Sequence, residues 1–313
     1  MMKSVFFVMA ACAVCLLTAD AGTIAYWRFE EGPAGVAVSH GGQPDGVFYP
    51  GTADSSGNGY DLSVWAEGWA GYAYNADVAS RTFGGAANNF SVKNTGGWPA
   101  MFTDTAAGIN GIQPAALTIE ATFKLENGGY RSIVGRDSRG AATINGDLAA
   151  LYFQAMPDNA LAIKFADVSG FWHEAISDTQ VFESFDYPTN PDGVGVPWYS
   201  MAAVSDGSTL SLYLREVDAD SAWQLIAETD MTLSESPDTA LTMGTGDGGD
   251  WNAGDWSVGR GLYAGGHGDR AYGFLDEIRI SDSALAVEEF LVPEPATMLL
   301  LGLGSVLAMR RRR

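Results

Sequence analysis

Cysteine is almost absent from this chain of 313 residues: the two that occur, Cys12 and Cys15, both sit in an apolar stretch near the N-terminus. Past that stretch there is no thiol, which excludes disulfides, a cysteine nucleophile and cysteine-ligated metals from the body of the protein. Histidine is scarce as well. His40, His173 and His267 are scattered, and no His-Glu-x-x-His spacing occurs. Neither the Gly-x-Ser-x-Gly turn that presents a nucleophilic serine nor a phosphate-loop motif is found. Cations are few: 17 Lys and Arg stand against 38 Asp and Glu, a formal charge of −21. Four of those cations are the terminal Arg310 to Arg313, so the chain without its first 21 residues and without everything after Pro295 carries −25 (Lys3 and Asp20 cancel). That potential repels nucleic acid and anionic lipid and favours solubility and cations. No apolar run reaches the ~20 residues of a spanning helix.

What is present is most specific at the two ends. Met1-Met2-Lys3-Ser4 is a short basic segment, Val5 to Leu17 is apolar, and Ala19-Asp20-Ala21 has the small-x-small pattern of a signal-peptide cleavage site. Residues 1–21 are therefore read as a signal peptide, with Gly22 as the new N-terminus. At the other end Pro293-Glu294-Pro295 precedes an apolar run, residues 296–309, and the four terminal arginines. Basic residues directly after an apolar segment mark its cytoplasmic side, so the run predicts a short transmembrane anchor with the body outside.

Between the ends the hydrophobic period is two. Ile119, Ala121, Phe123 and Leu125 alternate with Thr118, Glu120, Thr122 and Lys124; Leu210, Leu212 and Leu214 alternate with Ser211, Tyr213 and Arg215. Leu161, Ile163 and Phe165 repeat the pattern. Further strands are expected over 24–30, 60–65, 88–93, 130–135, 148–156, 171–177, 198–204, 223–229, 256–263 and 272–280. Ser205-Asp206-Gly207-Ser208 between two such runs reads as a hairpin. Only Ser283 to Leu291 looks helical, with Asp282 or Ser283 as its cap. Many short strands and almost no helix predict an all-β, antiparallel two-sheet sandwich of jelly-roll type over residues 22–291. Trp27, Phe29, Ile119, Phe123, Leu212 and Ile278 are its expected core.

The order of landmarks is informative beyond the period. Ile24-Ala25-Tyr26-Trp27-Arg28-Phe29-Glu30-Glu31-Gly32 opens the body and Asp54-Ser55-Ser56-Gly57-Asn58-Gly59 follows. Leu117 to Phe123 and Trp198 to Val204 come next, and Gly273-Phe274-Leu275-Asp276-Glu277-Ile278-Arg279-Ile280 closes it. This series resembles the laminin-G-like, concanavalin-A-type jelly rolls over essentially all of residues 23–291, with 65–82 and 178–197 as insertions and Trp198-Tyr199 in place of the family's Trp-His. The C-terminal tail resembles the PEP-CTERM sorting signal of Gram-negative bacteria, which implies an exosortase as partner and cleavage near Pro293-Glu294-Pro295. The jelly-roll resemblance implies a binding module and a structural calcium ion near the sheet rim, a step from fold to function that rests on analogy. Glu30, Asp54, Asn58 and Asp276 are the oxygen donors it suggests. Asp276, expected on one strand face with Phe274, Ile278 and Ile280, is a carboxylate that needs a partner. Asp54 as a turn former and Asp276 as a hydrogen-bonded strand residue are the competing account. The acidic run Asp247 to Asp255 reads as a solvated loop.

Catalysis finds little support. The Glu-x-Asp-x-x-Glu string of jelly-roll glucanases is missing, Asp276 and Glu277 are neighbours, and Glu120 and Glu126 would lie about 20 Å apart along one strand. Trp65, Trp69, Trp98, Trp172, Trp251 and Trp256 sit near loops or strand ends, where aromatic faces suit sugars. The expectation is an exported, non-enzymatic surface or matrix protein that binds polysaccharide. A structural or adhesive protein, and then a polysaccharide-cleaving enzyme, are the alternatives.

Overall fold

The computed structural model describes residues 22–38, 50–65, 71–80, 86–104, 107–126, 129–141, 145–219, 221–246, 252–263 and 266–291. The signal segment 1–21, the Pro293-Glu294-Pro295 motif, the apolar run 296–309 and most of the Asp247–Asp255 loop lie outside them. Among the described residues no helix is long and apolar enough to cross a membrane.

In chain order the strands are β1 (Thr23–Trp27), β2 (Pro50–Thr52), β3 (Leu62–Trp65), β4 (Tyr72–Asn75), β5 (Ser91–Asn94), β6 (Ala100–Thr103), β7 (Ala116–Leu125), β8 (Arg131–Ala141) and β9 (Asn145–Met156). They continue as β10 (Ala160–Ala166), β11 (Trp172–Ile176), β12 (Tyr199–Asp206), β13 (Thr209–Glu216), β14 (Gln224–Asp230), β15 (Trp256–Val258), β16 (Gly261–Tyr263), β17 (Gly266–Gly268) and β18 (Gly273–Ser281). The first sheet runs β14-β13-β12-β7-β18-β5-β4, with β1 also on β18; the second runs β11-β10-β9-β8-β15-β6-β3-β2; β16 and β17 form a separate hairpin. Every strand pairing is antiparallel, the geometry in which one face can pack and the other carry polar groups.

The period-two segments build the core as their alternation requires. Ile119, Ala121, Phe123 and Leu125 of the central β7 join Leu151 and Phe153 of β9 and Ile163 and Phe165 of β10 in one buried cluster. Each Leu, Ile or Phe among them contributes about 1.5–3 kcal/mol on leaving water. All six expected core residues are fully buried. The β12–β13 hairpin forms at the expected turn, where Gly207 takes a positive φ of 88° and Asp206 Oδ1 accepts the amides of Ser208 and Thr209, each at 2.7 Å.

Three expectations fail for local reasons. Residues 65–82 are not simply an insertion, because β4 within them forms an edge of the first sheet. Ser283 to Leu291 is not a helix: only Val287–Glu289 makes a single 3-10 turn. The segment extends so that Phe290 and Leu291 reach the outer face of the first sheet, where Phe290 joins a second apolar cluster with Trp198, Trp223 and Phe274. Lastly, Phe274, Asp276, Ile278 and Ile280 do not share a face. The β18–β7 register shifts between Asp276 and Arg279, and Glu277 takes a φ of 45°. That bulge leaves Phe274 in the outer cluster while Leu275, Ile278 and Ile280 enter the core.

Candidate functional site

The outer face of the second sheet carries a cleft of about 650 Å3. Its floor is a cross-strand row in which Lys164 stands opposite Tyr152 on one side and Glu174 on the other. These residues alternate with the core-facing Leu151, Phe153, Ile163 and Phe165, so the pleat that fills the core also sends them outward. Trp172 stacks on Tyr152 with ring centroids 6.1 Å apart at 22°. The tyrosine ring is fixed from both ends, since its hydroxyl donates to the Leu262 carbonyl of β16 and accepts the Ala149 amide at 2.9 Å. Tyr130, 46% exposed, and Tyr263, 62% exposed, add aromatic faces to the lining, which also includes Gln154 and Asp269.

Charge in the cleft is paired. Lys164 Nζ lies 3.3 Å from Glu174 Oε2. Burial raises the Asp269 carboxyl above the ordinary range, and Arg131 pulls it the other way. Flat apolar faces beside fixed donors and acceptors suit a ligand with apolar ring faces and many hydroxyls. Of the tryptophans singled out by sequence, Trp172 is in this cleft and Trp98 is exposed. Trp256 is core, its indole bonded to the Ile109 carbonyl at 3.3 Å. Trp69 and Trp251, and the side chain of Trp65, fall outside the described residues. Sequence reading missed Tyr130, Tyr152, Gln154 and Tyr263. The available signal was Tyr152 and Gln154, which fall on the polar-facing phase of an alternating strand.

The four expected calcium donors are not brought together. Asp54 is saturated: Oδ1 accepts the amides of Tyr26 and Ser56, both at 2.9 Å, and Oδ2 accepts the Ser56 hydroxyl at 2.7 Å and the Tyr60 amide at 3.0 Å. Asn58 donates its amide to the Ile24 carbonyl at 3.0 Å. Asp276 and Glu30 lie in a different cluster. Asp276 is fully buried and accepts Asn88 Nδ2 at 2.8 Å and the Glu277 amide at 2.9 Å. Burial, then the adjacent Glu277, hold its carboxyl well above the ordinary value, and Glu30 adds to the rise. Glu277 is itself tied to Arg28 at 3.1 Å and to the Tyr26 hydroxyl. Among the described residues no group of three or more His, Cys, Asp or Glu side chains is placed to hold a metal. Asn88 Oδ1, however, is buried with no hydrogen-bond partner. Glu30, near Asp276, already accepts the Asn89 amide at 2.7 Å and Asn89 Nδ2 at 2.8 Å, so the oxygens that fit a hard cation best are those of Asp276 and Asn88, not of Asp54 and Asn58.

Beyond this folded body, residues 291–313 match the PEP-CTERM protein-sorting motif. The chain carries a PEP-CTERM sorting signal. That signal implies an exported protein, processed at the membrane and recognised by an exosortase. Solved structures similar to the body include domain 4 of AbnA, a GH43 extracellular arabinanase from Geobacillus stearothermophilus, in complex with arabinotriose: 12% identity, TM-score 0.47, 85% of this chain and 94% of that one. The Ruminococcus gnavus IT-sialidase CBM40 bound to alpha2,3 sialyllactose matches at 14% identity and TM-score 0.40, over 59% and 83% of the two chains. The binding domain of botulinum neurotoxin serotype G matches at 8% identity and TM-score 0.44, over 84% and 48%. No curated protein matches the sequence.

Proposed function

We propose that this PEP-CTERM protein is a non-catalytic component of the cell surface or extracellular matrix that binds polysaccharide in the cleft over β9, β10 and β11. The observation that carries this reading is the Tyr152–Trp172 stack beside the Lys164–Glu174 pair, walled by the exposed rings of Tyr130 and Tyr263. Sugar rings present an apolar face to such aromatics and hydroxyls to such ion pairs. A glycan array probed with the purified exported protein tests it. Wild type should retain at least one polysaccharide, and Trp172→Ala or Tyr263→Ala should weaken that binding about tenfold, an ordinary loss for a central aromatic. Retention of no glycan would return the protein to a structural or adhesive role.

A second reading has one specific observation in its favour. Glu174 and Asp269 line the same cleft, and the Asp269 carboxyl is raised by burial, the property of a general acid in glycoside hydrolysis. Release of reducing sugar by wild type but not by Asp269→Asn would establish it over the non-catalytic one. As part of the main reading, Glu30, Asn88 and Asp276 hold a structural calcium ion. The ion would supply the positive charge that the buried Asp276 carboxylate lacks and tie β18 to the loops that carry Glu30 and Asn88.

A further inference from the structure

The aromatic cleft does not end at Tyr130. A second cleft of about 490 Å3 shares Tyr130 and Asp269 with the first and continues past Arg131, Arg270 and Tyr272 to Trp98. Each is of the size that holds a drug-sized ligand. Among the described residues, the strongly exposed aromatic side chains are Trp98, Tyr130, Tyr187 and Tyr263, and three of these four line the two clefts. Trp98, 58% exposed, lines only the second cleft, Tyr263 only the first, and Tyr130 both.

Cations along this path have local partners: Lys164 is paired with Glu174, Arg131 Nη2 lies 2.9 Å from Glu126 Oε1 with its guanidinium stacked on Tyr272 at 4.9 Å, and Arg270 Nη1 donates to the Pro99 carbonyl at 3.5 Å. Paired groups offer donors and acceptors to hydroxyls without a net field. The rest of the molecule, at −25 outside its signals, repels a polyanion at long range.

We propose that the ligand is a linear, uncharged polysaccharide bound along its length, crossing Tyr130 from one cleft to the other. This rests on the polysaccharide-binding reading above and adds the ligand's charge and its mode of binding. A protein that read only a chain terminus would need one cleft; a chain that passes through uses both.

Calorimetric titration of the full chain tests this with ladders of gluco-, xylo-, manno- and galacto-oligosaccharides of increasing length, alongside oligogalacturonates, sulfated galactans and chitosan oligomers. Affinity for a neutral ladder should rise with length and then level off once both clefts are filled. Trp98→Ala should erase that rise, costing long chains about tenfold while leaving the shortest unchanged. Trp172→Ala should lower both. Trp98 is an exposed side chain, so its variant keeps the fold, and an unchanged circular dichroism spectrum checks this. The proposal is overturned if affinity is already maximal at the shortest oligomer, if only the charged ladders bind, or if long chains ignore Trp98→Ala while responding to Trp172→Ala. Binding of no ladder and no glycan at all overturns the functional reading itself.

Discussion

Phe290→Ala is the substitution whose consequences can be worked furthest from the structure. Phe290 is 0% exposed and meets two rings edge-on, Trp223 at 5.1 Å and Tyr213 at 5.6 Å. Next to it Leu291 is buried and donates its amide to Glu120 Oε1 at 2.6 Å. Glu120 in turn holds Arg279, whose Nη2 donates to the Glu289 carbonyl at 2.7 Å. The strap thus covers a buried ion pair that would otherwise face water. Truncating a buried Phe to Ala costs about 3–5 kcal/mol. Were the strap to open only with the whole fold, 3 kcal/mol would lower the melting midpoint by about 6–12 °C.

A terminal segment can instead detach by itself, and opening of this kind is set by local contacts. At ~1.4 kcal/mol per tenfold, a loss of 3 kcal/mol multiplies the open population by about 150. Hydrogen exchange read by mass spectrometry should therefore show protection of the Leu291 amide falling by about two orders of magnitude, with a midpoint shift below the global figure. Leu233→Ala, at a side chain 82% exposed, is the control and should change neither. Leu291 protection that stays within a few-fold of wild type would refute the assignment of the strap's stability to Phe290. The sorting motif begins at Leu291, so the same variant should also lose its tail faster in cells that carry the exosortase, as followed by pulse-chase mass shift.

The other predictions are briefer. Excess calcium should raise the melting midpoint over chelator, by ~2.7 kcal/mol at a hundredfold excess over Kd; Asp276→Ala should abolish the difference and Asp54→Ala should keep it, and equal midpoints in wild type would dismiss the ion. Arg136, fully buried, donates to the carbonyls of Asn110, Ile112, Thr242 and Gly254 and stacks on Trp256, so Arg136→Met strands four acceptors and should cost more than about 4 kcal/mol in urea unfolding. A loss under about 1 kcal/mol would show that those loops hold themselves. Asp269 binds its proton more tightly folded than unfolded, so its contribution is complete below the ordinary carboxylate pKa and fades as pH rises through the raised value. Asp269→Asn should therefore gain on wild type in chemical denaturation as pH climbs from about 4 to neutrality, and parallel curves would contradict the rise.

What could be read from the sequence follows from where each determinant is encoded. A half-buried strand writes its face into every second residue, so β7, β10 and β13 and the core residues Ile119, Phe123 and Leu212 were legible from alternation alone. The C-terminal sorting motif was legible because a Pro-Glu-Pro tripeptide, an apolar run and a basic end are local strings that need no fold. Strands β4 and β6 are only four residues each and show too few alternations to stand out from a loop. The bulge at Glu277 defeats alternation in a more instructive way. One extra residue inverts the phase between Leu275 and Ile278, and nothing in Asp276-Glu277 announces it, because the cause is the partner strand's register. The Asp54 carboxylate looked like a ligand for the same reason that it makes a turn: its acceptor sites attract cations and donors alike, and only the chain's path shows that three amides and a hydroxyl fill them. The cleft was the least legible. Tyr130, Tyr152, Trp172 and Tyr263 come from four separate segments, each with an unremarkable aromatic, and they become a surface only when β8 to β11 pair and the β16–β17 hairpin lies beside them. Residues whose meaning depends on pairing between distant segments are invisible to periodicity. For that reason the proposed polysaccharide site, unlike the sorting motif, has to be argued from the folded chain and tested on it.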